Sequence, residues 1–294
     1  MIIEYLLDCL MSKNHILHLE DVYKGYAGKN VLKNIDLAIS EGEFCSVVGP
    51  SGCGKSSLLR LILGQDLPDK GKVLLDGKAV GLPDKRRGVV YQKYSLFPNL
   101  TVLENVMLGP KYLGLPNNTS PSASEIREAA MYYLKRVRLE NAAHKFPHEL
   151  SGGMQQRAAI AQTLIVQPKI LLMDEPFGAL DPDTREELQV FLLELWEAMG
   201  LTVLFVTHSL EEACFVGSRL LALSQYYNSG VDFQSHGATI VEDHPLERVA
   251  HSTEIKHSAH FQALISDVRA KAFNPELNQF VKDFNLNHQD SFRT

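Results

Sequence analysis

The chain has 294 residues, 45% of them hydrophobic and 22% charged, with a formal net charge of -6. This is globular composition, long enough to bury a sizeable core, and its acidic balance lacks the basic footprint that a phosphate backbone demands, so nucleic acid is not an expected partner. The longest apolar runs, such as Leu201 to Val206, fall far short of the roughly 20 residues that cross a bilayer, so any work at a membrane needs another chain to supply the pore.

Met1 to Met11 is apolar but broken by Glu4 and Asp8 and has no basic leader, so it does not read as a signal peptide. Residues 1–14 are expected to be an extension ahead of the fold, with Met1 and Met11 both open as the start. The four cysteines, Cys9, Cys45, Cys53 and Cys214, show no CxxC or Cys/His pairing, which fits a reducing compartment. From His15 to Gly49 the pattern is strand and turn: Ile16 to Leu19, an alternating Leu32 to Ile39, then the apolar run Phe44 to Val48. Residues 54–63 predict a largely buried helix stopped by Gly64.

Between that strand and helix, Gly49-Pro50-Ser51-Gly52-Cys53-Gly54-Lys55-Ser56 matches the Walker A pattern. Glycines let successive backbone N–H groups face phosphate oxygens, and the helix N-terminus adds its dipole. Lys55 is expected to reach the β- and γ-phosphates and Ser56 to ligate Mg²⁺, with Ser57 completing the nucleotide contact. Cys53 fills a loop position, where the helix N-terminus would lower its thiol pKa.

A helical stretch follows from about Thr101 to Val166, interrupted at Pro116 to Ser122. Ser122 and Glu125 predict a capping box, with Ile126, Ala129, Ala130, Tyr133, Leu134 and Val137 at helical spacing behind it. Residues of about 93–166 thus form a helical insertion. Ile170-Leu171-Leu172-Met173-Asp174-Glu175 reads as a buried strand ending in two carboxylates, the Walker B pattern. Asp174 there can hold Mg²⁺ through water, and Glu175 can polarise an attacking water. A helix from Pro182 to Met199, capped by Asp181 and ended by Gly200, leads to the next buried strand, Leu201 to Val206. Two such strands joined by a helix predict a largely parallel sheet. Past Ser224 the pattern weakens, and six of the eleven histidines lie beyond that point at spacings that match no standard metal site; residues 255–284 read as two short helices separated near Pro275.

Leu150-Ser151-Gly152-Gly153-Met154-Gln155-Gln156-Arg157 resembles the signature LSGGQ of the ABC ATPase family, with Met154 at its last position. Ser151 and the N–H groups of Gly152 and Gly153 open a helix and so make an anion site. The resemblance covers about Leu19 to Leu223. It implies an α/β fold: a P-loop NTPase core with a mostly parallel sheet, an antiparallel β subdomain and the helical insertion. It also implies that Tyr26 stacks on adenine, that Gln92 links Mg²⁺ and water to the insertion, that Asp181 lies at a dimer interface, and that His208 contacts the γ-phosphate. Ser151, Gly152, Gly153 and Met154 would face the γ-phosphate held by an opposite subunit. Ser209 and Ser218 stand where many relatives have Asp, away from the inferred chemistry.

The implied organisation is an ATPase domain over 15–254 followed by a helical tail over 255–294. The implied activity is ATP hydrolysis, with ATP and Mg²⁺, by a homodimer or paired subunits. These would sit peripherally on the cytoplasmic face of the inner membrane, beside an integral permease and a periplasmic or lipid-anchored substrate-binding protein. Glu175-Pro176-Phe177-Gly178-Ala179-Leu180-Asp181 and Leu96 to Val106, with no β-rich regulatory domain following, are most similar to the nitrate, sulfonate and taurine importer branch. An efflux or lipid-transport cassette shares the same motifs. A non-transport ABC protein of DNA repair or translation would carry coiled coils, zinc modules or a second cassette.

Overall fold

The computed structural model describes residues 15–92, 95–228, 237–246, 253–276 and 279–291; the expectations for residues 1–14, including Cys9, lie outside them. The chain opens with two long strands, β1 (His15–Tyr26) and β2 (Lys29–Ser40), which pair antiparallel. With β4 (Lys70–Leu75) and β5 (Lys78–Ala79) they form a four-stranded sheet in the order β2-β1-β4-β5. This is the antiparallel subdomain. β4 carries no clear alternation, because its first three residues are exposed and only Val73 and Leu75 are buried.

The second sheet contains β3 (Phe44–Val48), β6 (Arg87–Tyr91), β7 (Ile170–Asp174), β8 (Val203–Val206), β9 (Arg219–Ser224), β11 (Thr239–Pro245) and β13 (Asn285–Leu286), in the order β13-β11-β9-β3-β8-β7-β6. The five from β9 to β6 are mutually parallel, while β11 runs antiparallel to β9. A further short strand, β10 (Tyr227–Asn228), pairs with β12 (Gln279–Phe280).

The central strands read as unbroken apolar runs because both their faces are buried. Their residues divide by the two-residue period between two cores: Phe44, Val48, Leu171, Met173, Val203 and Phe205 on one face, and Cys45, Val47, Ile170, Leu172, Leu204 and Val206 on the other. The second core is roofed by the antiparallel sheet and by α1 (Lys55–Leu63), with Leu58, Leu61 and Ile62 buried in it. The first core takes the remaining helices: α2 (Val102–Leu113), α3 (Ala123–Arg136), α4 (Gly152–Leu164), α5 (Pro182–Met199), α6 (Leu210–Val216) and α7 (Ala259–Phe273).

Helix ends follow local chemistry. Ser122 and Glu125 form the predicted capping box, and Thr101 with Glu104 forms a second, which the T-x-x-E spacing also encodes. Asp181 Oδ1 accepts from Thr184 N at 3.0 Å, and Gly200 ends α5 in the left-handed region. Trp196 on α5 meets Phe44 edge to face, ring centres 5.5 Å apart, and donates from its indole to Gly42 O at 3.0 Å, fixing the helix across the parallel strands.

The tail departs from two helices in sequence. α7 is the first, but the second is a single 3-10 turn, Val281–Asp283, set between β12 and β13. Periodicity over so few residues cannot separate a turn flanked by strand pairs from a helix. β13 pairs parallel with β11 and extends the main sheet, so the tail is built into the fold. Beside it Arg219, 1% exposed, donates to Asp243 at 2.7 and 2.8 Å and to Ala38 O at 2.6 Å, with Glu43 at 3.3 Å. Burial disfavours this cation, but Asp243 and Glu43 outweigh burial and hold it firmly charged. One tail histidine serves the same docking: His288 lies 3.6 Å from Glu43.

Candidate functional site

The carboxyl ends of β3, β6, β7 and β8 lie at one edge of the parallel sheet, the position where open α/β sheets bind ligands. β3 delivers the glycine loop, β6 leads to Gln92, β7 ends on Asp174 and Glu175, and β8 leads to His208.

Gly54 ends the loop at φ 104°, where a Cβ would lie 2.8 Å from Leu32 Cδ2 and 2.9 Å from Val31 Cγ1, so both backbone and space demand glycine. It carries no side chain to cap α1, which leaves the first N–H groups of that helix directed at the loop. The ammonium of Lys55, buried at 7% exposure, donates to Gly49 O at 2.7 Å and Pro50 O at 3.1 Å, which holds a cation at the loop mouth. Ser51 and Gly52 are exposed on the turn, and Ser56 follows Lys55 on the exposed side of α1, with Ser57 half-buried. Cys53 behaves otherwise than its helix-end position suggests. Its side chain is 1% exposed, and burial pushes the thiol up, outweighing the opposing Lys55 charge and backbone N–H donors. Cys53 is a packing residue of the loop.

Asp174 is half-buried, with Ser56 near it; burial first, then Glu175, push its carboxyl up, against the pull of Lys55, Arg60 and the Ser56 hydroxyl. A hydroxyl and a carboxylate held together beside the loop form an all-oxygen donor set that fits Mg²⁺. Repulsion between Asp174 and Glu175 is what such a cation would relieve. The Gln92 amide approaches Gly178, where a Cβ would lie 2.8 Å from Gln92 Nε2, so Gln92 reaches the segment after Glu175.

Glu175 has φ 47°, left-handed backbone that a non-glycine residue rarely adopts, and Pro176 follows it. Its N–H donates to Val206 O at 2.8 Å, and Phe177 is fully buried against Phe205, ring centres 5.6 Å apart. These contacts hold the strained residue and aim its carboxylate at His208, whose Nδ1 lies 3.2 Å from Glu175 Oε2. The φ of Glu175 has no signal in the sequence.

Two further residues tie the site together. Thr207 Oγ1 donates to Glu212 Oε2 at 2.7 Å, and Glu212 pairs at 3.5 Å with Arg185, which donates to Leu180 O at 2.8 Å. The segments carrying His208 and Asp181 are thereby joined. The S-x-x-E spacing from Ser209 to Glu212 marks a helix start, and Ser209 Oγ does accept from Glu212 N at 3.2 Å; nothing marks Arg185. Ser218 exchanges hydrogen bonds with the Phe44 backbone at 3.1 and 3.2 Å. Both serines thus have structural work at their positions.

Tyr26 sits at the end of β1, 38% exposed, with its hydroxyl donating to Asp66 Oδ2 at 2.6 Å. Ser151 caps α4 by accepting from Met154 N at 3.3 Å, and Gly153 packs so closely on α5 that a Cβ would lie 2.7 Å from Thr184 Cγ2. Among the described residues, no hydrogen bond or ion pair joins Ser151, Gly152, Gly153 or Met154 to Lys55, Asp174, Glu175 or His208. The start of α4 at Ser151 is therefore separate from the glycine loop at Lys55. A cavity of about 240 Å³ beneath the tail, lined by residues such as Asn34, Asp243 and Phe284, contains none of the predicted residues.

Comparison with known proteins gives a consistent answer. Residues 32–178 match the ABC_tran family, described as ABC transporter. An uncharacterized ABC transporter ATP-binding protein of Methanocaldococcus jannaschii is 51% identical over 66% of this chain and 70% of its own. The nitrate import ATP-binding protein NrtD of Synechocystis is 46% identical, over 71% of this chain and 78% of its own. The spermidine/putrescine import ATP-binding protein PotA of Nitrosospira multiformis is 42% identical over 71% of this chain, which spans only 57% of that protein. A solved dimeric ATP-binding cassette in a post-hydrolysis state, bound to ADP and Pi, superposes with a TM-score of 0.63 at 35% identity, over 79% of this chain and all of that one.

Proposed function

Because this chain belongs to the ABC transporter ATP-binding family and is an ATP hydrolase, we propose that it is the energising subunit of an importer. It would work as a pair on the cytoplasmic face of the inner membrane, against a separate integral permease fed by a periplasmic or lipid-anchored binding protein. We assign the cassette to residues 15–254, with 93–166 as the segment that meets the permease, and 255–294 to a docked tail. None of the helices among the described residues is long and apolar enough to cross a membrane, which fits a separate permease.

The observation that carries this reading is the separation of two complementary halves. Lys55, Asp174 and Glu175 gather at one sheet edge, while Ser151 opens α4 without touching them. In the proposed cycle, Tyr26 stacks on adenine and residues 49–57 wrap the phosphates. Ser151 and Gly153 of a second copy then close on the γ-phosphate. Mg²⁺, held by Ser56, Asp174 and Gln92 when bound, would neutralise charge on the β- and γ-phosphates. Glu175 accepts a proton from the water attacking the γ-phosphorus; the bond to the β-phosphate oxygen breaks, and ADP and phosphate are left. His208 orients Glu175 and the departing phosphate, and Asp181 lines the seam between copies.

Ser151→Arg tests the shared site. A guanidinium at the helix start should leave ATP binding to the separate chain intact, yet block pairing and lower turnover by at least about 100-fold, the scale of losing a transition-state donor. Light scattering with ATP checks this; an ATP-dependent pair in the variant would count against the assignment.

For the cargo we propose a small anion of the nitrate, sulfonate or taurine kind. Support comes from the greater identity to the nitrate relative, and from its alignment over 78% of that protein against 57% of the polyamine one. Reconstitution in liposomes with its permease and a binding protein should give ATP-dependent uptake of one of these anions. Uptake of polyamines alone would reassign the cargo, and ATP-driven efflux would reverse the direction.

A further inference from the structure

Just past the C-terminal end of α1, Asp66 joins that end of the helix to the end of β1. Its Oδ2 accepts from the Tyr26 hydroxyl at 2.6 Å, and its Oδ1 pairs with Lys24 Nζ at 2.9 Å. Lys24, only 8% exposed, also donates to Leu67 O at 2.8 Å and to Asp69 Oδ1 at 3.3 Å, and lies over the Tyr26 ring 5.1 Å from its centre. Asp69 Oδ2 in turn accepts from Gly25 N at 2.7 Å. The aromatic ring is thus held at its hydroxyl by a carboxylate and over its plane by an ammonium, while being 38% exposed to solvent. The phenol first, then Lys24, hold the Asp66 carboxyl below the usual range, in keeping with a strongly bonded anion.

The phosphate loop opens α1 and Asp66 follows its other end, so a single helix of nine residues separates the phosphate contacts from the anchor of the ring. We infer that Asp66 is a positioning residue for nucleotide binding: by tethering the Tyr26 hydroxyl to the end of the phosphate-loop helix, it sets the ring at the height where the base of a loop-bound triphosphate must stack. The inference rests on the proposed roles of Tyr26 and the loop. Because Lys24 keeps Asp69 and the Leu67 carbonyl when Asp66 is removed, the hairpin retains its anchor and the variant is expected to fold.

The test compares ATP with inorganic tripolyphosphate, which has the phosphates and no base, by titration of the purified full chain. Asp66→Ala should weaken ATP by about 5- to 10-fold, the loss of one charge-assisted hydrogen bond, and leave tripolyphosphate unchanged. Tyr26→Phe, which keeps the ring and removes the tether, should reproduce that loss, and the double variant should be no worse than either. Asp66→Asn, still able to accept from the phenol, should recover most of the affinity. Tyr26→Ala calibrates the platform and should cost ATP roughly 5- to 150-fold, the range for base stacking on an aromatic side chain. Unchanged ATP affinity in Asp66→Ala, with Tyr26→Ala weakened, overturns the role of Asp66; so does an equal loss for ATP and tripolyphosphate, which would place its effect on the loop. Unchanged affinity in Tyr26→Ala removes the platform itself, and absence of ATP binding by the unaltered chain would instead remove the functional reading beneath both.

Discussion

Glu175→Gln is expected to lower the ATP turnover of the paired cassette by roughly 10²- to 10⁴-fold, the range supplied by a positioned general base, while leaving ATP bound. The replacement is nearly isosteric, so the left-handed backbone at φ 47° and the hydrogen bond from Glu175 N to Val206 O are retained. What changes is charge and basicity. The amide cannot accept the proton of the attacking water, and its neighbour Asp174 loses the repulsion that helps push its carboxyl up. Loss of a negative charge beside the γ-phosphate should also tighten ATP binding, so the variant should accumulate as an ATP-bound pair. Phosphate release and light scattering read the two effects separately. Turnover equal to the unaltered protein would remove Glu175 as the base.

Lys55→Ala is expected to abolish useful nucleotide binding. Truncating one partner of a buried, hydrogen-bonded charge pair costs about 2–5 kcal/mol, which is roughly 30- to several-thousand-fold in affinity. Lys55 meets the conditions for a large value: it is 7% exposed, its ammonium is held at the loop mouth by two backbone carbonyls, and the loop supplies no other cation. Calorimetric titration with ATP measures the loss. A melting curve beside it separates weakened binding from a loosened loop, since the same substitution removes the bonds to Gly49 and Pro50. Normal affinity in a folded variant would contradict the assignment of the loop.

Much of this was legible because the decisive signals are contiguous. The glycine loop needs fixed spacing within eight residues, and the central strands, buried on both faces, are continuous apolar runs whose ends mark the site edge. The capping boxes are equally local. What sequence hides is settled at a distance. β4 is half exposed and lacks a pattern of its own. β13 is recruited by β11 across forty residues of chain. The bridge from Thr207 through Glu212 to Arg185 depends on two helices meeting. Cys53 fills its loop position as the sequence suggests, but the sign of its thiol shift is hidden for a related reason: helix position argues for a lowered pKa, while burial, which only packing decides, runs the other way. The strain at Glu175 likewise needs the buried Phe177 beyond it to sustain it.

The two-residue β13 also has a defensive consequence. β11 is seven residues long and five of them are buried, and without β13 its outer row of N–H and C=O groups would be a ready template for another chain. By ending the sheet on so short a strand, and by seating Ser291 on Asp243 just after it, the tail converts a sticky margin into one too brief to recruit a neighbour. The last residues therefore bear on how concentrated this protein can become before it self-associates, a matter separate from how fast it hydrolyses ATP.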